Sequence, residues 1–256
     1  MIKAMARQRD PGVTHLGQEW AQRKDLFNDG RYFAAADELE GDEVWFEIED
    51  CERFININTL GQEAYRPLLE NIAALDRSDK RRISRHLNEG VHDKEPHAVF
   101  HCPEELRYFE GINDKDWFGD REQAGLRDVL TVYGDGRINV NTASRAVLLC
   151  IPGLDEGSVD RLLGYRNGSD GKPGTSDDQG FDNFFMLREK TGLEGEPFAA
   201  IERYCIVSSS YFKIRGMATR QGGKVRATCA AVVYMERDER TNAPRVLSWQ
   251  EDALDS

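Results

Sequence analysis

The stretch FININTL, Phe54 to Leu60, returns later in the chain as RINVNTA, Arg137 to Ala143. In each copy apolar residues alternate with asparagine, which is the period-2 pattern of a short strand, and an Asn-Thr pair follows. Such a pair commonly caps a helix N-terminus, because its side-chain oxygen accepts a bond from an unpaired backbone N–H. Helical spacing follows both copies. The sequence therefore predicts one strand-to-helix junction used twice, with Asn58-Thr59 and Asn141-Thr142 as structural caps rather than substrate ligands.

The composition is that of a soluble globular protein, with 31% charged and 39% hydrophobic residues in 256. The net charge of −12 and the short basic runs disfavour nucleic acid, which binds clustered Lys and Arg. No apolar run approaches the roughly 20 residues of a membrane span. The start, MIKAMARQRD, lacks the apolar core of a signal peptide. Two alternatives follow: a cytoplasmic protein, or one whose exporting or anchoring segment lies upstream.

Strand patterns lie at both ends of the chain, and helical patterns lie between them. DEVWFEIEDCERFININT predicts two strands, residues 59–203 are mainly helical, and the final stretch is rich in Val, Ile, Tyr and Phe between turns. The early strands are expected to pair with the late ones, because that arrangement makes the helical block a simple insertion. We predict an α+β fold with a sheet domain in two parts, 1–58 and 204–256, and an inserted helical domain, 59–203.

The second Asn motif opens the stretch INVNTASRAVLLCIPGLDEGSVDRLLGYRNG. Two helical patterns flank IPGLDEG, where Gly153 permits a tight turn, and this is typical of a helix-hairpin-helix. Hairpins that bind DNA usually read apolar–x–Gly–apolar–Gly and offer backbone N–H groups to a phosphate. Asp155 replaces the second glycine here, and Glu156 follows it. Because carboxylates repel a phosphate, DNA binding is the alternative function rather than the favoured one.

Six elements, taken together, resemble the type II secretion protein K family, the largest of the minor pseudopilins. In chain order they are HLGQEW, RFININTL, CPEELRYFEGI, LTVYGDGRINVNTAS, SSSYFKIRG and RVLSWQED. The Asn-strand and hairpin section also resembles the competence DNA receptor ComEA. The first resemblance implies a pseudopilin-type antiparallel sheet with a large inserted α-helical domain, which contains the helix-hairpin-helix, SAM-like section.

The family resemblance implies an assembly subunit and not an enzyme. The expected role is that of a minor pseudopilin in a type II secretion or related type IV pilus-like system, which caps the pseudopilus tip and supports protein export. The implied partners are minor pseudopilins I and J. The resemblance also implies a single inner-membrane helix, of which MIKAMARQRD would be the tail, with the bulk of the chain in the periplasm. Without that helix, the chain is expected to be a soluble monomer.

The stretch HDKEPHAVFHC contains three histidines and a cysteine that could bind zinc: His92, His97, His101 and Cys102. Their spacings match no standard zinc motif, so an exposed loop with scattered histidines is the simpler interpretation. The five cysteines of the chain contain no CxxC, and an oxidising compartment would allow one or two disulfides.

An acidic, glycine-rich stretch, RNGSDGKPGTSDDQGFDNF, runs from Arg166 to Phe184. Calcium takes six to eight oxygen ligands on a backbone that bends tightly, and loops rich in Asp and Gly provide both. The spacing does not fit an EF-hand, and a solvated acidic loop is the alternative. The resemblance to the protein K family also implies calcium binding, and we expect calcium here. The predicted side-chain ligands are Asp170, Asp177, Asp178 and Asp182.

Overall fold

The computed structural model describes residues 12–18, 20–21, 43–89, 99–220, 225–235 and 244–251. The chain divides into two compact units. The sheet unit consists of Met1–Cys51, Arg166–Gly180 and Ser208–Ser256, and the helical unit consists of Glu52–Tyr165 and Phe181–Val207. The predicted domain ranges were 1–58, 59–203 and 204–256. They place residues 166–180 in the helical domain, whereas in the structure these residues belong to the sheet unit.

Strands and helices follow one another in this order. The strands are β1 (Glu43–Asp50), β2 (Ile55–Asn56), β3 (Leu130–Thr131), β4 (Ile138–Asn139), β5 (Cys205–Ile206), β6 (Tyr211–Arg220), β7 (Val225–Met235) and β8 (Pro244–Glu251). The α-helices are α1 (Arg66–Asn71), α2 (Arg77–Glu89), α3 (Asp114–Phe118), α4 (Arg145–Leu149), α5 (Glu156–Arg166), α6 (Phe184–Thr191) and α7 (Gly195–Tyr204). Short 3₁₀ segments lie at Cys51–Arg53, Ile57–Thr59, Pro103–Tyr108 and Leu126–Asp128.

The sheet unit contains a four-stranded antiparallel sheet in the order β1-β6-β7-β8. The predicted α+β class with an antiparallel sheet is confirmed, and β1 pairs with the late strand β6, with Ile48 opposite Ile214. The alternation in β1 explains this pairing. Ile48 is buried, whereas its neighbours Glu47 and Glu49 are half-buried and lie 3.4 and 3.5 Å from the Arg215 guanidinium on β6. One face of the sheet is therefore apolar and the other carries charge pairs.

The helical unit is built on the two Asn motifs. Each contributes a short strand to a parallel pair, β2 with β3 and β4 with β5. The four alternating apolar side chains of the motifs are completely buried in one core: Ile55, Ile57, Ile138 and Val140. The predicted strand at each motif is confirmed, although β2 pairs inside the helical unit and not with the large sheet.

The second asparagine of each motif binds the backbone of a distant phenylalanine. The Asn58 side-chain amide donates to the Phe100 carbonyl at 3.0 Å, and its oxygen accepts from the Phe100 N–H at 2.8 Å. Asn141 does the same with Phe181, at 3.0 and 2.8 Å, and also donates to the Val207 carbonyl at 3.0 Å. A side-chain amide thus takes the place of a neighbouring strand, because it offers the same donor and acceptor as a peptide group.

The prediction that the Asn-Thr pairs cap helices is wrong. The N-cap of α4 is Ser144, whose side chain accepts from the Val147 N–H at 3.3 Å. The first asparagine of each motif is the one that binds local backbone: Asn56 accepts from the Asn58 N–H at 3.0 Å. The capping interpretation was wrong because the partners of the second asparagines are distant in the sequence. Asn141 and Phe181 are 40 residues apart, and such a contact leaves no local pattern.

Among the described residues, no helix has both the length and the apolar character needed to cross a membrane. The predicted helix end at residues 1–10 lies outside the described residues.

Replacing Asn141 by Ala should lower the unfolding free energy of the helical unit by about 3 kcal/mol, because three hydrogen bonds worth about 1 kcal/mol each are lost in a buried place. Asn58→Ala should cost about 2 kcal/mol, because it loses two. Urea unfolding followed by far-ultraviolet circular dichroism measures both. Asn88→Ala, an exposed asparagine on α2, is the control, and equal losses in all three variants would contradict this account.

Candidate functional site

The predicted calcium-binding stretch forms a loop of the sheet unit, residues 166–180, called the acidic loop below. Its backbone closes on itself, since the Gln179 N–H donates to the Arg166 carbonyl at 2.8 Å. Within the loop, the side chain of Asp177 is the main acceptor. One of its oxygens accepts from the Ser169 N–H and the Ser169 hydroxyl, both at 2.7 Å, and from the Asp170 N–H at 3.2 Å.

The two adjacent aspartates of the loop have opposite pKa shifts. The Thr175 hydroxyl, then Ser169, hold the pKa of the Asp177 carboxyl below its usual value, because they stabilise its charged form. Burial raises the pKa of Asp178, even though its carboxylate accepts from the Gly174 N–H at 2.7 Å. Asp177 therefore favours folding above the pKa of an unfolded aspartate, and this contribution is lost as the pH falls through its lowered pKa. The cost of ionising Asp178 disappears as the pH falls through its raised pKa.

The Thr175 hydroxyl lies among four oxygen atoms. The distances are 2.7 Å to Asp177 Oδ1, 3.2 Å to the Lys172 carbonyl, 3.3 Å to Asp178 Oδ1 and 3.4 Å to Asp170 Oδ1. A hydroxyl has a single hydrogen, so it cannot donate to all four. Three carboxylates and a carbonyl oxygen thus lie around the Thr175 hydroxyl, and oxygen atoms of these types are the ligands that calcium takes.

Three of the four predicted ligands, Asp170, Asp177 and Asp178, thus face one hydroxyl. Asp182 belongs to the helical unit, where its charge adds to burial in raising the pKa of Tyr165. In the part of the chain that the structure describes, no group of three or more His, Cys, Asp or Glu side chains is already arranged to hold a metal ion. Thr175 had no predicted role, although its place two residues before the Asp177-Asp178 pair is a usable signal.

The turn between α4 and α5 uses its carboxylates internally. Gly153 has φ +89, as the predicted tight turn requires. The Asp155 carboxylate caps α5 by accepting from the Ser158 N–H at 2.8 Å, and bonds from Ser158 lower the pKa of Asp155. Arg145, on α4, pairs with the exposed side chains of Asp160 and Glu156. A carboxylate thus occupies an N–H group that a phosphate would need, and the structure does not favour the DNA-binding alternative.

The predicted zinc alternative lies partly outside the described residues, since His92 and His97 fall there. His101 and Cys102 are exposed. All five cysteines are in the described ranges, and none forms a disulfide.

A cavity of about 330 Å³ in the helical unit has an acidic lining. Each of its carboxylates is already engaged in capping a helix, in holding a turn or in an ion pair. The four aspartates are Asp76, which accepts from the Ser78 and Asp79 N–H groups, Asp79, which pairs with Arg82, Asp116, which accepts from the Asn113 N–H, and Asp120, which pairs with Lys115. These contacts account for the acidic lining as local structure.

No family model and no curated protein sequence matches this chain. A search of solved structures matches it to a chain in the crystal structure of the GspK-GspI-GspJ complex from the enterotoxigenic Escherichia coli type 2 secretion system. The match has a TM-score of 0.57 and 16% sequence identity, and it covers 99% of this chain and 90% of that chain. The chain therefore has a GspK-like fold, as the sequence resemblance predicted.

Replacing Thr175 by Val should raise the pKa of Asp177 toward that of an ordinary aspartate, because the largest cause of its lowering is the Thr175 hydroxyl. A pH titration followed by carboxyl carbon NMR measures this pKa directly. Asp120 is the internal control, since its low pKa depends first on the Glu122 N–H. An unchanged Asp177 pKa in the variant would show that the hydroxyl does not hold this carboxylate.

Proposed function

We propose that this protein is a minor pseudopilin that assembles at and caps the tip of the pseudopilus in a type II secretion system or a related type IV pilus-like system. The observation that carries the proposal is the structural match over 99% of the chain, which includes both the sheet unit and the helical unit. An assembly subunit needs surfaces and stability rather than a catalytic site, and we assign the protein no enzymatic activity.

The proposed partners are homologues of pseudopilins I and J, because the matched structure is a complex of GspK with GspI and GspJ. We place the protein in the periplasm, held at the inner membrane by a helix preceding the folded units. Alone, it is expected to be a monomer, because filament contacts depend on different partners.

We assign a partner contact to β8. This strand is the last in the sheet order, and three of its apolar side chains are exposed: Val246 by 57%, Leu247 by 38% and Trp249 by 60%. Exposed apolar residues grouped on one edge strand are typical of contact surfaces, since an edge also offers unpaired backbone groups.

Co-purification with tagged pseudopilin I and J homologues from the same cell tests the assembly role. The wild-type chain should be retained by the pair, and Trp249→Glu should reduce retention about tenfold or more, because an interface aromatic residue commonly contributes about 2 kcal/mol. Phe185→Glu is the matched control, since Phe185 is 78% exposed on the helical unit. If neither homologue retained the wild-type chain, the pseudopilin role would be contradicted. Equal loss of retention in Trp249→Glu and Phe185→Glu would show that β8 is not the contact.

We also propose that the acidic loop binds calcium through Asp170, Asp177 and Asp178, with Asp182 as the predicted fourth ligand. The arrangement of three carboxylate oxygens and the Lys172 carbonyl around Thr175 supports this proposal. Bound calcium would neutralise carboxylates that otherwise repel one another. Because burial raises the pKa of Asp178, protons compete with calcium there, and affinity should increase as the pH rises through that pKa.

Calcium at a hundred times its dissociation constant should stabilise the sheet unit by about 2.7 kcal/mol, which is several degrees in a thermal melt. Melts in millimolar calcium and in EGTA, with calorimetric titration, measure the effect. Asp177→Asn should weaken binding about tenfold or more, since it removes a charged ligand. Asp160→Asn, an exposed aspartate on α5, is the control, and Asp182→Asn decides whether the fourth ligand participates. Identical melts without a calorimetric signal would leave only a solvated acidic loop.

A further inference from the structure

In and around HLGQEW, one of the six elements of the family resemblance, residues 13–18 and 20–21 form a turn held together by hydrogen bonds of Gln18. Its amide donates to the Val13 carbonyl at 2.9 Å, and its oxygen accepts from the His15 N–H at 3.2 Å and from the Trp20 indole at 2.7 Å. The Ala21 N–H donates to the Gln18 carbonyl at 2.9 Å. Residues 13–18 and 20–21, called the clasp segment below, therefore hold one defined shape, which fixes where Trp20 points.

One side of the clasp segment packs on the apolar face of the sheet. Trp20 is buried and meets Phe212 edge-to-face, with ring centroids 5.7 Å apart. Leu16 joins the same core as Ile48. The Thr14 hydroxyl accepts from the buried Ser209 N–H at 3.0 Å. These contacts make the clasp segment part of the sheet core, because burial of an aromatic ring is among the larger favourable terms in packing.

On its other side, the backbone of the clasp segment packs closely against the backbone of the acidic loop. A Cβ placed on Gly17 would lie 2.2 Å from the Asp178 carbonyl oxygen, and one on Gly180 would lie 2.7 Å from the His15 ring. Neither glycine has the positive φ that would favour glycine for its conformation, so close approach alone requires them. The same Asp178 directs its carboxylate toward Thr175 at 3.3 Å. One residue thus touches the clasp segment with its carbonyl and the candidate cation site with its side chain.

We infer that the acidic loop and the clasp segment are two halves of a conformational switch. In the loop conformation that brings Asp170, Asp177 and Asp178 together, the loop backbone packs closely against Gly17. This contact keeps the clasp segment in the position from which Trp20 packs on the sheet. A cation that fixes the loop also fixes the clasp segment, and a loosened clasp segment weakens cation binding by the same factor, because such coupling is reciprocal. The role of calcium as the cation rests on the proposed function, whereas the contact between loop and segment does not.

Hydrogen exchange in the metal-free protein tests the contact. Gly17→Ala should speed exchange of the Asp178 and Gln179 amides, which bond to the Thr175 and Arg166 carbonyls, about 5- to 150-fold, the usual range of coupling between sites. Gly12→Ala is the matched control, since a Cβ on Gly12 meets nothing within 4 Å. The Val140 amide of the helical unit should be unaffected in both variants.

Exchange at Asp178 and Gln179 that is equal in Gly17→Ala and Gly12→Ala overturns the inference. If Gly17→Ala unfolds the sheet unit, Gln18→Ala replaces it, because that change loosens the turn without adding an atom at the loop. It should also speed exchange at Asp178, and a change confined to the Ala21 amide would count against the switch.

A calcium titration of the wild-type chain separates the switch from its proposed ligand. Slower exchange at both Asp178 and Ala21 supports the switch with calcium as its cation. Slower exchange at Asp178 alone overturns the coupling and leaves the calcium site standing. Without any calcium binding, the calcium proposal fails, and the comparison of Gly17→Ala with Gly12→Ala in metal-free protein still decides whether loop and segment are coupled.

Discussion

The helical unit depends on a single constraint: a buried peptide group must find a hydrogen-bond partner. In two places the partner is an asparagine side chain, whose amide donates and accepts hydrogen bonds as the backbone of a neighbouring strand would. Asn58 and Asn141 each bind both polar groups of a phenylalanine, Phe100 and Phe181, which lie 42 and 40 residues further along the chain. An unpaired buried N–H or carbonyl costs about 1–3 kcal/mol, so these amides decide where the chain returns to the core after each helical excursion.

The two motifs differ in what they hold. Asn58 is half-buried and its side chain binds the backbone of Phe100, whereas Asn141 is fully buried and binds the Val207 carbonyl as well as Phe181. Phe181 is the residue at which the chain enters the helical unit after the acidic loop, and Val207 is the last before the sheet strands. Within the helical unit, the second motif therefore binds two of the residues at which the chain enters or leaves that unit.

Local patterns in the sequence predicted the elements, and long-range contacts decided how they are used. The alternation around Ile48 predicted the strand β1, because burial of every second residue is visible in sequence. The placement of strands at both ends of the chain predicted its pairing with a late strand. The partners of Asn58 and Asn141 were not predictable, since nothing near Phe100 or Phe181 marks them as receivers of an amide. The same limit explains why the acidic loop was predicted as part of the helical block. Its neighbours in the chain are helices, whereas the clasp segment that it contacts lies near the start of the chain.

Within the helical unit, aromatic packing joins the two residues that flank the acidic loop in the sequence. Tyr165, the last residue before the loop, stacks on Phe181, the first after it, with ring centroids 4.8 Å apart. Joining both ends of a flexible segment reduces the number of conformations open to it. The entropy lost on gathering three carboxylates is therefore smaller than in a free chain, and Asp177 and Asp178 both lie within 3.3 Å of the Thr175 hydroxyl. Preorganisation of this kind increases affinity, because the cost of ordering is met in folding rather than in binding.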